Sequence, residues 1–247
     1  MRPSTTTTVP AVVPAALRLL AALAVVAAVV GQWVRSVESP VYEFANFFGY
    51  FTIQSNLIAA VAFVVGAVFL LRRRAAPEWS VVLRGAAATY MVTTGIVYNV
   101  LLTNVALDNS FNVQWSNDVL HKWIPLFALL DWVLVGDRGR IAWRRLPVFL
   151  VYPLVWLVVV LLRGQSFVPY PFLDVERLGA GGVAVWCLVI AVVIAGLSAV
   201  VIGLSRVRVL GVDHRNAGHG SSDRGGEDHD GTGRGRSGRG EAQRSGS

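Results

Sequence analysis

Six apolar runs, each about as long as a bilayer core is thick, leave this chain few ways to fold. Crossing about 30 Å of hydrocarbon takes roughly 20 residues at a rise of 1.5 Å per residue. The runs at 14–34, 48–71, 81–105, 119–136, 146–163 and 181–204 reach or approach that length. The fourth and fifth are the shortest, and the fourth is the least apolar, with Asp131 inside it. Lipid supplies no hydrogen-bond partners, so segments of this kind must pair their own backbone groups, as helices do. The expected fold class is all-α, a polytopic membrane protein of six transmembrane helices. Only 15% of the 247 residues are charged, against about 25% in soluble proteins.

Charge orients the helices. Arg72, Arg73 and Arg74 follow the second run, and Arg138, Arg140, Arg144 and Arg145 lie between the fourth and fifth. The opposite loops carry Glu38, Glu43, Asp108, Asp118, Asp174 and Glu176. The positive-inside rule therefore predicts cytoplasmic N- and C-termini. Residues 1–13 read as an N-terminal cytoplasmic segment, and residues 1–34 as leading into the first membrane helix rather than forming a cleaved leader. Aromatics are expected to mark the boundaries: Trp33, Phe47, Phe48, Tyr50, Phe51, Trp115 and Trp123 outside, Trp79 and Trp143 inside. Residues 205–247 are polar and Gly-rich, too poor in apolar surface to offset their ordering entropy, and are expected to be disordered. His214, His219 and His229 lie in that tail.

Several functions are marked down at once. The net charge of +7 comes from short loops and the tail, so it speaks for a membrane face and against nucleic acid. Cys187 is the sole cysteine, which rules out an intramolecular disulfide and a Cys-based metal cluster. Haem held by two histidines would need a second core histidine besides His121, and no phosphate-cradling loop is present. The reading calls for no metal and no cofactor.

Polar residues inside apolar runs carry the information, because placing them there costs free energy. Thr52, Ser55 and Asn56 stand at i, i+3 and i+4, on one face near the outer end of the second helix. The third helix brings Tyr98, Asn99 and Asn104 to a similar depth, where they line a common cavity or serve as packing glue. His121 sits at the outer end of the fourth helix, with Asn117 at i−4 and Asp118 at i−3 as candidates to hold a ring nitrogen. Asp131 is about 15 Å deeper on the same helix and is expected to pair with Arg18 or a hydroxyl, for structure or proton handling. A threonine and the sole core imidazole at one depth suit a nucleophile and its base. Interhelical hydrogen bonding by the hydroxyls and amides, with a wet histidine beside Lys122, is the plainer reading of the same residues.

The segment Phe48-Gly49-Tyr50-Phe51-Thr52-Ile53-Gln54-Ser55-Asn56, with His121-Lys122-Trp123-Ile124-Pro125 and Asp131-Trp132, resembles bacterial relatives of the androgen-induced protein family, which includes the androgen-dependent regulator of tissue-factor pathway inhibitor. The resemblance covers roughly residues 12–205. It implies six helices, cytoplasmic termini, and an intramembrane hydrolase of fatty acyl esters, such as fatty acid esters of hydroxy fatty acids. It also implies Thr52 as nucleophile and His121 as base, with membrane lipids and a lipid ester as partners. Ser55, Asn56, Tyr98, Asn99, Asn117 and Asp131 are the supporting polar residues on this reading. The alternative is a non-enzymatic membrane protein, a small-solute transporter or an assembly factor.

Overall fold

A computed structural model describes residues 8–103, 113–207 and 209–213. The chain is mostly helical, and five of its helical stretches are long and apolar enough to cross a membrane. Helix α1 (Val12–Ser36) is followed by a single turn, α2 (Phe44–Phe47), and by α3 (Phe51–Leu71). Helix α4 (Glu78–Val97) runs on through a wider π turn at Tyr98–Leu102. Helix α5 (Gln114–Asp118), a second π turn (Val119–Trp123) and α6 (Ile124–Leu134) follow without a gap. Helices α7 (Leu146–Arg163) and α8 (Val175–Leu204) complete the set, and α8 breaks its helical dihedrals at Gly179 (φ 68°). The stretch Gly179-Ala180-Gly181-Gly182 is thus a kink inside a helix.

Helix α1 buries Ala15, Arg18, Ala21, Ala22, Val25, Ala28 and Val29, a stripe of mostly small side chains at helical spacing. Opposite it, α3 buries Ala59, Ala60, Ala62, Phe63 and Ala67. Small residues let two backbones approach closely, the usual basis of helix pairing where water is absent. Helix α4 joins both halves of the core. Its Ala87 and Met91 pack with α1, α3 and α6, while Ala86, Ala88 and Tyr90 pack with α7 and α8. Helices α7 and α8 leave most of their apolar side chains outward, among them Val151, Val155, Leu162, Val185 and Leu188. A surface of that kind suggests a protein embedded in lipid.

Two prolines break the helical ladder, and α4 repairs both breaks. Pro153 in α7 has no N–H for the Phe149 carbonyl four residues back, and the Tyr90 hydroxyl donates to that oxygen at 3.0 Å. Pro125 likewise deprives the His121 carbonyl, and Asn99 Nδ2 donates there at 3.4 Å. The π turn carrying His121 ends two residues before Pro125, as expected where the regular ladder is interrupted.

The two chain ends of the described body meet. Strands β1 (Thr8–Pro10) and β2 (Gly211–Asp213) pair in parallel, with Val9 opposite Val212. Beside them Leu210 exchanges backbone hydrogen bonds with the end of α6, through Leu134 and Gly136. Residues 211–213 belong by sequence to the polar tail, yet here they form a strand. Asn104, Asp108, Arg2 and the tail histidines lie outside the described residues.

Some sequence expectations are corrected. Phe47 and Phe51 are buried, so they pack the core instead of marking a boundary, whereas Trp33, Trp79, Trp115, Trp123 and Trp143 are exposed. Arg138 is no free loop cation. It is buried, donates to the Val135, Leu204 and Val207 carbonyls, and stacks over Trp132. It therefore ties the ends of α6 and α8 together through carbonyls at and just beyond their last turns.

Candidate functional site

Thr52 is the second residue of α3, and no side chain caps that helix. The first-turn amides of a helix have no intrahelical acceptor, so Thr52 sits where N–H groups point outward. Behind it the shared face expected from spacing is real. Ser55 Oγ donates to the Thr52 carbonyl at 3.2 Å and lies 3.1 Å from Thr94 Oγ1. Asn56 Nδ2 donates to the same carbonyl at 2.9 Å and to the Leu120 carbonyl at 3.2 Å. One nitrogen thereby links the backbone of Thr52 to the residue before His121.

Thr52 lines a cavity between α3, α4, α7 and α8. Its walls are apolar: Phe51, Val97, Leu102, Leu150, Pro153, Trp156, Ile190 and Ile194 among others, with Cys187. Among the described residues no charged side chain lines it, and its hydroxyls are those of Thr52, Thr93, Thr94, Tyr98 and Tyr170. Such a space fits an uncharged apolar chain with a weakly polar group near Thr52. Three side chains of α7 fasten the segment around Thr52: Trp156 Nε1 donates to the Gly49 carbonyl at 2.8 Å, the Tyr152 hydroxyl to Gln54 Oε1 at 3.2 Å, and Arg163 to Asn46 Oδ1 at 2.5 Å.

His121 stands beside this cavity and does not line it. Its ring stacks on Tyr98, centroids 4.0 Å apart, and Tyr98 is a cavity wall. Nδ1 lies 3.0 Å from the Asn117 carbonyl. A carbonyl only accepts, so Nδ1 carries the proton in the neutral ring and Nε2 keeps the lone pair. Of the two residues expected to hold the ring, Asn117 does so, through its backbone carbonyl. The Asn117 amide donates to the Tyr98 hydroxyl, and Asp118 pairs with Lys122. Among the described residues no hydrogen bond or ring contact joins Thr52 to His121. Asn99 does not line this cavity and takes the other expected role, packing glue, by holding the Gly95 and His121 carbonyls.

Asp131 is far from this chemistry. Arg18 Nε donates to it at 2.8 Å, and Asp137 joins, 2.6 and 3.0 Å from the two terminal nitrogens of Arg18. Arg84 reaches Asp137 at 3.0 Å and Asp131 at 3.5 Å. Burial alone would raise the Asp137 carboxyl, but Arg84 and Arg18 hold it down, at about 2. Gly66 makes room for the cluster, since a Cβ there would come within 3.0 Å of Arg84 Cδ.

Sequence reasoning missed Tyr170, Arg84 and Asp137. An arginine inside the third apolar run was a legible signal for Arg84. Asp137 lies just past the fourth apolar run, where a charge gives no inward signal, and Tyr170 belongs to an irregular loop where no periodicity points inward. Comparison with protein-family models, curated proteins and solved structures finds no match.

Proposed function

We propose that this chain is an intramembrane hydrolase of uncharged fatty acyl esters, with Thr52 as nucleophile and His121 as base. The observation that carries the reading is Thr52 at the start of α3, opening onto an apolar cavity, with its backbone linked through Asn56 to the segment of His121. The resemblance to the androgen-induced protein family supplies the same two residues. In the proposed cycle the Thr52 hydroxyl proton passes to His121 Nε2 as Oγ1 attacks the ester carbonyl carbon. The tetrahedral oxyanion collapses, the C–O bond to the alcohol breaks, and His121 returns its proton to the leaving oxygen. Water, deprotonated by His121, then releases the fatty acid from Thr52. Proton transfer needs Nε2 within hydrogen-bond reach of Oγ1, and a turn of the Tyr98 side chain shared by the imidazole and the cavity is the motion proposed to provide it. Contacts of this kind commonly tighten only when substrate binds.

The test is turnover of a neutral long-chain ester by detergent-purified protein, wild type against Thr52→Ala and His121→Ala. Activity lost in both, in folded variants, supports the pair. Full activity in Thr52→Ala overturns it. The transporter alternative would rest on Asp131 and Arg18 as ion-coupling groups. Their closed pairing with Arg84 and Asp137 favours a structural role instead.

The membrane arrangement that goes with this reading has six crossings. The pairing of strands β1 and β2, one before α1 and one after α8, supports an even number of crossings. On this reading the continuous helical stretch Gln114–Leu134 is the sixth crossing. The arginines between α3 and α4 and between α6 and α7 support cytoplasmic termini.

A further inference from the structure

Tyr170 comes from the loop between α7 and α8 and is buried, 6% exposed. Rings hold it on several sides: Phe172 stacks at 5.2 Å, with Trp156 at 5.9 Å and Tyr50 at 6.1 Å. Proline precedes and follows it in sequence, which limits the backbone on both sides. With its ring fixed, the polar end faces the Thr52 hydroxyl and the amides of Phe51 and Thr52 at the start of α3. Both Tyr170 and Thr52 line the cavity. Burial pushes the phenol up to about 12, against the opposing pull of Thr52 and the amides, so it is a neutral donor at physiological pH.

Amides only donate, so they do not use the phenolic proton; Thr52 Oγ1 can accept it at rest, and becomes a poor acceptor once bonded to the acyl carbon. That proton is available to an oxygen placed near Thr52. When Thr52 attacks an ester, the carbonyl oxygen becomes an oxyanion beside the first turn of α3, where the helix dipole favours negative charge. We propose that Tyr170 is a catalytic residue that donates a hydrogen bond to this oxyanion, its own oxygen held by the first-turn amides of α3. The inference rests on the hydrolase reading and adds to it a group supplied from outside α3 and the fourth helical stretch.

Tyr170→Phe keeps the ring cage and removes only the donor. The probe is a fluorophosphonate, whose phosphoryl oxygen occupies the oxyanion position once the hydroxyl has attacked phosphorus and displaced fluoride. Wild-type protein is expected to label on Thr52, and Thr52→Ala to stay unlabelled. Tyr170→Phe is expected to label about 10²-fold more slowly, with kcat for a neutral ester falling by a similar factor, KM held and thermal midpoint unchanged. Wild-type rates in Tyr170→Phe overturn the inference and leave the hydrolase reading standing. Labelling that persists in Thr52→Ala, or wild type that does not label, overturns that reading and this inference with it. Should Tyr170→Phe not fold, 3,5-difluorotyrosine at position 170 is the second probe. Its phenol ionises at lower pH, so labelling should fail at lower pH than in wild type, and an unmoved pH profile counts against the donor.

Discussion

The tautomer of His121 is set by backbone, which decides what its neighbours can do. The Asn117 carbonyl takes the Nδ1 proton, and any side chain at 117 or 118 leaves that carbonyl in place. Asp118→Asn is therefore expected to leave ester turnover within about threefold of wild type, far from the losses of 10² or more that follow removal of a catalytic group. A loss of that larger size would mean the carboxylate supports the ring after all. Asn56 is different, because its one amide nitrogen serves both Thr52 and Leu120 while fully buried. Asn56→Leu removes both bonds and is expected to cost about 0.5–2 kcal/mol, read as a lower thermal midpoint in detergent. The face formed by Thr52, Ser55 and Asn56 was legible because helical spacing alone puts the three together. Tyr170 was not, since a loop residue reaches its target through contacts distant in sequence.

Among the elements, the apolar runs located the long helices to within a few residues, because length and hydropathy are local properties. What they did not reveal is how α4 serves as the donor helix for two proline-broken neighbours. Tyr90 and Asn99 read as generic polar residues of a membrane helix until the carbonyls they satisfy are seen. The Tyr90 case makes a sharp test. Tyr90→Phe leaves the Phe149 carbonyl unpaired and is expected to cost about 0.5–1.5 kcal/mol. Pro153→Ala restores an N–H four residues on from Phe149, so in that background Tyr90→Phe should cost much less. A double-mutant cycle on thermal unfolding reads the difference directly, and additive effects would show that the hydroxyl does not substitute for the missing amide. Pro153 also lines the cavity, so the same proline that breaks the ladder shapes the space beside Thr52.

At the scale of the whole molecule, two features gather distant parts of the chain on one face. The ion cluster joins α1 through Arg18, α4 through Arg84, and the end of the fourth helical stretch through Asp131 and Asp137. The pairing of Asp131 with Arg18 was foreseeable from two charges in apolar runs, but the four-part closure was not, because it depends on which helices are neighbours. Removing one partner strands a buried opposite charge, so Arg18→Met is expected to cost about 3–5 kcal/mol in detergent unfolding. Asp137, held below its ordinary 3.8 to about 2, adds stability that is fully present above pH 3.8 and lost as pH falls toward 2. Asp137→Asn should flatten that part of the stability profile. The strand pair makes the second claim, that the crossings are even in number. In a Cys187→Ala background, single cysteines at Glu38, Arg74, Arg140 and Glu176 can be tested with a membrane-impermeant maleimide on intact cells. Six crossings predict that the cysteines at 38 and 176 label from outside and those at 74 and 140 do not. If the stretch Gln114–Leu134 failed to cross, position 140 would label with 38, position 176 would fall silent, and β1 and β2 would be left on opposite sides of the bilayer, where they could not pair.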